Sequence, residues 1–254
     1  MDLVVSDIRN KQVIGSHQME PPELRHWKGL QLNDSDEIIE IDRGGCDLEG
    51  PICLEWLPDS IQELLLNGNA IWGGVDWSDI PPRLTLLFLI ANQLDGTIDA
   101  GALPTALRDL YLSTNMFSGP IALEALTPEI EAVDIGKNRL SGTVHLRAIP
   151  QTLQEPRLSK NRFSGDIDLR RLPNGLKKIM LDSNSFSGPV DLRTLPPGLS
   201  ELDLSCTDLT GESDLSRFPE TLAFLNVLNT ALSGTILLTP YMNIDAEYSL
   251  VVAM

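Results

Sequence analysis

At 254 residues, 42% apolar but only 5% aromatic, the chain has ample small aliphatic side chains and few large rings, which suits one elongated body with a Leu/Ile interior. A formal charge of −17 argues against a nucleic-acid partner, because affinity for phosphates comes largely from Lys and Arg displacing counterions. No apolar run is long enough to span a bilayer, the opening MDLVVSDIRNKQVIG lacks the basic-then-apolar pattern of a secretory leader, and Cys46, Cys53 and Cys206 form no paired brackets, so the expectation is a cytoplasmic protein with no membrane association.

Residues 1–36 are acidic and irregular, with a Pro21-Pro22 break, and are expected to hold a short helix or two that cap the regular region after them. Trp27-Lys28-Gly29-Leu30 would supply the apolar side of that cap. From Gly50 a glycine recurs every 23 residues, at Gly73, Gly96, Gly119, Gly142, Gly165, Gly188, Gly211 and Gly234. A period of this length signals stacked supersecondary units, each too small to bury its own apolar face. Residues 37–240 hold nine such units. The first looks imperfect, with two extra residues between Ile39-Glu40-Ile41 and Cys46.

Each unit opens with an alternating strand, such as Leu87 and Leu89 before Asn92 or Leu110 and Leu112 before Asn115. The asparagine recurs at 69, 92, 115, 138, 161 and 184 and gives way to Thr207 and Thr230 at the end. A buried amide carries both donors and an acceptor, so it can bond backbone groups that leave the strand without ladder partners. After the glycine a second alternation, as in Val190-Asp191-Leu192 or Ile167-Asp168-Leu169, predicts a short outer strand. A Leu-Pro step at Pro58, Pro104, Pro173 and Pro196 then turns the chain back through a tight turn or brief 3₁₀ segment. Pro156 stands where later units carry Ile or Leu and should delete a ladder donor inside a sheet. Residues 241–254 lose the period and form a C-terminal lid, whose Tyr248–Val252 could add one edge strand.

The pattern Leu107-Arg108-Asp109-Leu110-Tyr111-Leu112-Ser113-Thr114-Asn115-Met116-Phe117-Ser118-Gly119-Pro120-Ile121 resembles the leucine-rich repeat family over about residues 37–240. Its Ser-Gly-x-Ile step is similar to the plant-type subclass, also found in protists. The resemblance implies an α/β leucine-rich-repeat right-handed superhelix, mainly β with short 3₁₀ turns, whose concave parallel sheet binds other molecules, usually proteins. The chain departs from the plant receptor pattern in lacking paired cap cysteines, a leader and a membrane span.

With the register fixed, outward side chains lie six, four and two positions before each ladder residue, and neighbouring strands sit about 4.8 Å apart. The strand Leu84 to Asn92 is apolar on both faces, so Leu86, Phe88 and Ile90 should join Leu65 and Tyr111 in an exposed patch of the kind that marks an interaction site. Arg157, Lys178 and Met180 lie further along, within a basic band that includes Lys137, Arg139, Lys160, Arg162 and Lys177. That band could receive an acidic or phosphorylated peptide, or be a solvated face balanced by Glu131, Asp134, Glu155 and Asp182. Asp76, Asp99, Asp168, Asp191 and Asp214 stack in one outer column, with Arg147, Arg170 and Arg193 placed to offset their repulsion; no loop gathers the oxygens a calcium ion takes. His17, His26 and His145 are isolated, and no phosphate loop or metal-ligand spacing occurs, so neither enzyme activity nor a cofactor or metal is expected. The function expected is a scaffold or adaptor that binds a protein partner through the concave face. The alternatives are a regulator that occludes an enzyme, a phosphopeptide reader, and a homodimer through the apolar patch or the C-terminal edge.

Overall fold

The computed structural model describes residues 27–213, 218–236, 243–247 and 249–253. They form a right-handed, mainly β solenoid. Eleven strands make the concave sheet: Leu30–Leu32, Ile38–Asp42, Glu63–Leu65, Leu86–Phe88, Asp109–Tyr111, Ala132–Asp134, Glu155–Arg157, Lys178–Met180, Glu201–Asp203, Phe224–Asn226 and Asn243–Asp245. All pairings are parallel except the first, where Leu30–Leu32 runs antiparallel to Ile38–Asp42. Of the stretch 1–36 expected to hold a short helix or two, residues 27–36 contain the first strand of this hairpin and turns, with no helix, and residues 1–26 lie outside the described residues. Trp27 and Leu30 pack against the core as the cap reading required.

The first unit is in full register: Ile41 pairs with Leu64, and Cys46 stands 23 residues before Asn69, at the ladder position, so there are no extra residues. Inward positions are sealed. Leu64, Leu87, Leu110, Val133, Ile179, Leu202 and Leu225 are at most 1% exposed and form one continuous apolar spine.

The outer strands sit earlier than the alternation suggested. Most include the recurring glycine, as in Arg162–Gly165 and Ser185–Gly188, and together they form a seven-stranded and a three-stranded sheet. The Val-Asp-Leu type of step after the glycine is no strand. Asp76 and Asp99 cap the short 3₁₀ helices Trp77–Asp79 and Ala100–Ala102 by accepting the N–H two residues on, and equivalent helices lie at Leu123–Ala125 and Leu146–Ala148. Apolar residues flank the aspartate because both pack inward while the carboxylate turns back on its own loop. Each Leu-Pro step closes a tight turn: the N–H of Leu107 reaches the carbonyl of Pro104 at 3.0 Å, and that of Leu199 reaches Pro196 at 3.1 Å.

The asparagine ladder binds each unit to the one before. Asn115 Nδ2 donates to the carbonyls of Leu89 (2.9 Å) and Leu112 (3.0 Å), and its Oδ1 accepts from the N–H of Leu94 (3.0 Å). Asn92, Asn138, Asn161 and Asn184 repeat the set. The residue before each of them turns the corner at positive φ, 56° at Ala91 and 60° at Thr114, which aims the amide inward. Thr207 and Thr230 keep one of these bonds, to Leu204 (2.7 Å) and Val227 (2.8 Å). Gly165 shows why the glycine recurs: its φ is +89°, and a Cβ there would meet Thr143 Cγ2 at 3.0 Å.

Pro156 is buried in the concave sheet. Its strand pairs at three positions with the preceding strand but only through Arg157 and Met180 with the following one, where the missing N–H removes a donor. At the C-terminus, Asn243–Asp245 extends the concave sheet beside Phe224–Asn226, and Leu250–Ala253 forms the edge of the outer sheet beside Ala231–Ile236. Tyr241, Met242, Tyr248 and Met254, part of the expected lid, lie outside the described residues.

Candidate partner-binding surface

The strand Leu86–Phe88 sets the chemistry of the concave face. Leu87 and Leu89 are fully buried, so alternation turns Leu86, Phe88 and Ile90 to the hollow side, where all three are half-exposed. Register puts Leu65, Phe88 and Tyr111 side by side on successive strands. Phe88 and Tyr111 meet edge to face, with ring centroids 5.1 Å apart at 63°. The two rings brace one another, so this part of the patch is held in one shape.

Arg157, Lys178 and Met180 lie on the same face but belong to a different surface. With Ser113, Asp134, Lys137, Lys160 and Asp203 they line a shallow hollow of about 500 Å³. Its cations are partly satisfied: Arg157 pairs with Glu155 at 2.9 Å and Lys178 with Glu201 at 3.0 Å. Burial raises the pKa of Asp203, which still accepts hydrogen bonds from the Ser205 N–H (2.9 Å) and Asn226 Nδ2 (3.1 Å). The hollow therefore mixes both signs of charge.

A column of acids, which a search of the concave columns for apolar residues passes over, runs beside the patch. At successive register positions stand Glu40, Glu63, Leu86, Asp109, Ala132 and Glu155. Their 23-residue spacing from Glu40 to Glu155 was the signal available in the sequence. Burial raises the pKa of Asp109, Glu131 and Glu63 raise it further, and Arg108 opposes them. Glu40 is raised by burial and then by Glu63 and Asp42. Tyr111 rises through burial and the nearby Asp109. Negative charge is crowded around the apolar patch.

On the outer surface the aspartate column is tied down. Asp168 accepts from Arg170 Nε and from Arg147 Nη1, both at 2.9 Å, and Arg193 grips Asp191 in the same way. Each arginine two residues on binds its own aspartate directly, and Arg147 adds a link between units. Asp214 lies outside the described residues. Among the described residues no group of three or more His, Cys, Asp or Glu could hold a metal ion, and no helix is long and apolar enough to cross a membrane.

No protein-family profile and no curated protein matches the chain. Among solved structures it is similar to a plant ice-binding protein, with a TM-score of 0.70 and 19% identity over 99% of this chain and 92% of that one. It is also similar to the Arabidopsis receptor kinase HAESA, solved with the peptide hormone IDA and the co-receptor SERK1, with a TM-score of 0.56 and 28% identity over 74% of this chain and 37% of that one. A third likeness is to the BIR2 ectodomain of Arabidopsis thaliana, with a TM-score of 0.52 and 22% identity over 62% of this chain and 88% of that one. The cytoplasmic expectation is corrected by these likenesses, since an ectodomain is the part of a receptor outside the cell. The N-terminal end of the described stack is closed by a hairpin, and the three thiols are free. By fold, the chain is a leucine-rich-repeat-like solenoid.

Proposed function

We propose that the chain is an interaction scaffold that binds a protein partner on its concave sheet, with Phe88 at the centre of the contact. The observation that carries this reading is the run of five adjacent half-exposed apolar side chains, Leu65, Leu86, Phe88, Ile90 and Tyr111, on a face where the other outward apolar residues, such as Ala132, Met180 and Phe224, stand apart among polar and charged ones. HAESA, whose fold this chain resembles, is a receptor seen with a peptide hormone, which supports a polypeptide as the occupant. Arg157, Lys178 and Met180, in the adjoining hollow of the same face, form the far side of the proposed contact. The Ser-Gly-x-Ile steps and 23-residue spacing support a plant-like subclass for the repeats. We read residues 37–240 as the binding body and the segments either side as its closures.

The rival reading, an acidic or phosphorylated peptide on the basic band, is disfavoured because Arg157 and Lys178 already have carboxylate partners. Ice binding does not transfer with the fold at 19% identity. The outer strands moreover set charges among their hydroxyls, with Ser141 paired to Arg162.

Affinity purification with the wild-type chain and with Phe88→Asp, followed by identification of what co-purifies, tests the proposal. Losing a central aromatic anchor costs about 2 kcal/mol or more, so capture should fall at least about thirtyfold while the circular-dichroism melt is kept. Unchanged capture would remove the site.

A further inference from the structure

We propose that the occupant of the Phe88 patch is a cationic, apolar polypeptide segment, lying across the strands with Lys or Arg three residues apart and a large apolar residue between them. This rests on the docking reading above and adds the partner's chemistry.

The argument is one of charge and spacing. Glu63 and Asp109 flank Leu86 on either side in the same column, two strands apart, which is about 10 Å. Glu40 and Asp42 continue the acidic border beyond Glu63 and Leu65, and Asp134 closes it beyond Tyr111. None of the ion pairs among the described residues involves Glu40, Glu63 or Asp109. The patch is thus an apolar centre bordered by carboxylates of which Glu40, Glu63 and Asp109 form no ion pair and only Arg108 opposes the charge at Asp109, in contrast to the hollow around Arg157, where Arg157 and Lys178 are paired. Burial first, and then the neighbouring acids, raise the pKa of Glu40 and Asp109, and an incoming cation would offset the repulsion between the acids.

A segment in the polyproline II conformation rises about 3.1 Å per residue with three residues per turn, so side chains three apart lie on one edge and span the gap from Glu63 to Asp109. Arginine suits both halves of the site, since its guanidinium forms bidentate bonds with carboxylates and stacks on the faces of Phe88 and Tyr111. Other occupants fit worse. A phosphorylated or acidic segment would meet this frame with like charge, and a second copy carries its own net charge of −17.

The test is fluorescence anisotropy of the full chain with a labelled peptide repeating Arg-Leu-Trp, against the same repeat with Glu for Arg. The arginine peptide should bind, weaken as salt is raised, and lose about tenfold in affinity with E63Q/D109N. The matched variant E124Q/E129Q, which removes two exposed carboxylates elsewhere on the chain, should leave affinity unchanged and so controls for net charge. If E63Q/D109N binds as well as wild type while Phe88→Asp abolishes binding, the charge inference falls and the docking surface stands. If Phe88→Asp also has no effect, both fall. Sedimentation that shows a dimer dissolved by the peptide would identify a second copy as the resident occupant and overturn the proposal.

Discussion

Asn115→Ala should be among the most damaging single changes in the chain, and the reason can be counted. The residue is 8% exposed. Its amide satisfies the carbonyls of Leu89 and Leu112 and the N–H of Leu94, all within 3.0 Å. Alanine leaves the buried Leu94 N–H without a partner and takes one of two amide donors from each of the Leu89 and Leu112 carbonyls, which keep Asn92 Nδ2 and Asn138 Nδ2 at 3.1 Å, for a total of about 2–4 kcal/mol. Asn115→Thr should recover about 1 kcal/mol of this, because a threonine hydroxyl in the same place holds the strand carbonyl, as Thr207 does to Leu204 at 2.7 Å. Urea unfolding followed by circular dichroism reads both variants. Since each unit touches only its neighbours, a weak middle can also separate the unfolding of the two halves and lower the apparent m-value. If the alanine variant unfolds within about 1 kcal/mol of wild type, or the threonine variant is no better than alanine, the ladder is not what binds the stack.

Pro156→Leu should stabilise the chain by about 1 kcal/mol, since it restores a donor toward Lys178–Met180 and an aliphatic side chain between Val133 and Ile179, less the entropy that proline removes from the unfolded chain; a melt that falls would show the site shaped around proline. Acid sensitivity should come from the outer arginine clasps. Side-chain hydrogen bonds from Arg193, then its N–H, hold Asp191 down to about 2, and Arg170, with help from Arg147, holds Asp168 well below the usual carboxylate range. Because these folded-state values are depressed, their stabilisation is present above pH ~3.8 and lost as pH falls from about 4 toward 2. Asp109 and Glu40 act in the opposite sense, because their raised values mean ionisation is penalised in the fold, a penalty that fades on acidification. R170Q/R193Q should therefore show a flatter fall of Tm between pH 4 and 2 than wild type, and equal slopes would refute the assignment.

The fold was legible because one glycine requirement repeats: from Gly73 onward each interval needs positive φ, and some, such as Gly165 against Thr143, also leave little room for a Cβ. The outer strands were misplaced for a physical reason. Val190 and Leu192 are both buried around a half-exposed Asp191, so period-two burial arises here from a capped turn and mimics a strand. Leu30-Gln31-Leu32 was too short to announce a strand, and Cys46 concealed a ladder position because a thiol cannot reproduce an amide's bonds. Phe88 could be placed by alternation alone. The acidic frame needed register between strands, which only the columns from Glu40 to Glu155 supply.

The ladder's reach gives the stack a modular grammar. Asn138 meets residues of its own unit and of the one before in the same relation as Asn115 does, so excising residues 116–138 would join ends that already fit. Lineages can lengthen or shorten such a chain by whole units without solving a new folding problem. What each edit changes is the distance between the greasy, acid-framed half of the hollow and its mixed-charge half, and so the size of partner that can touch both.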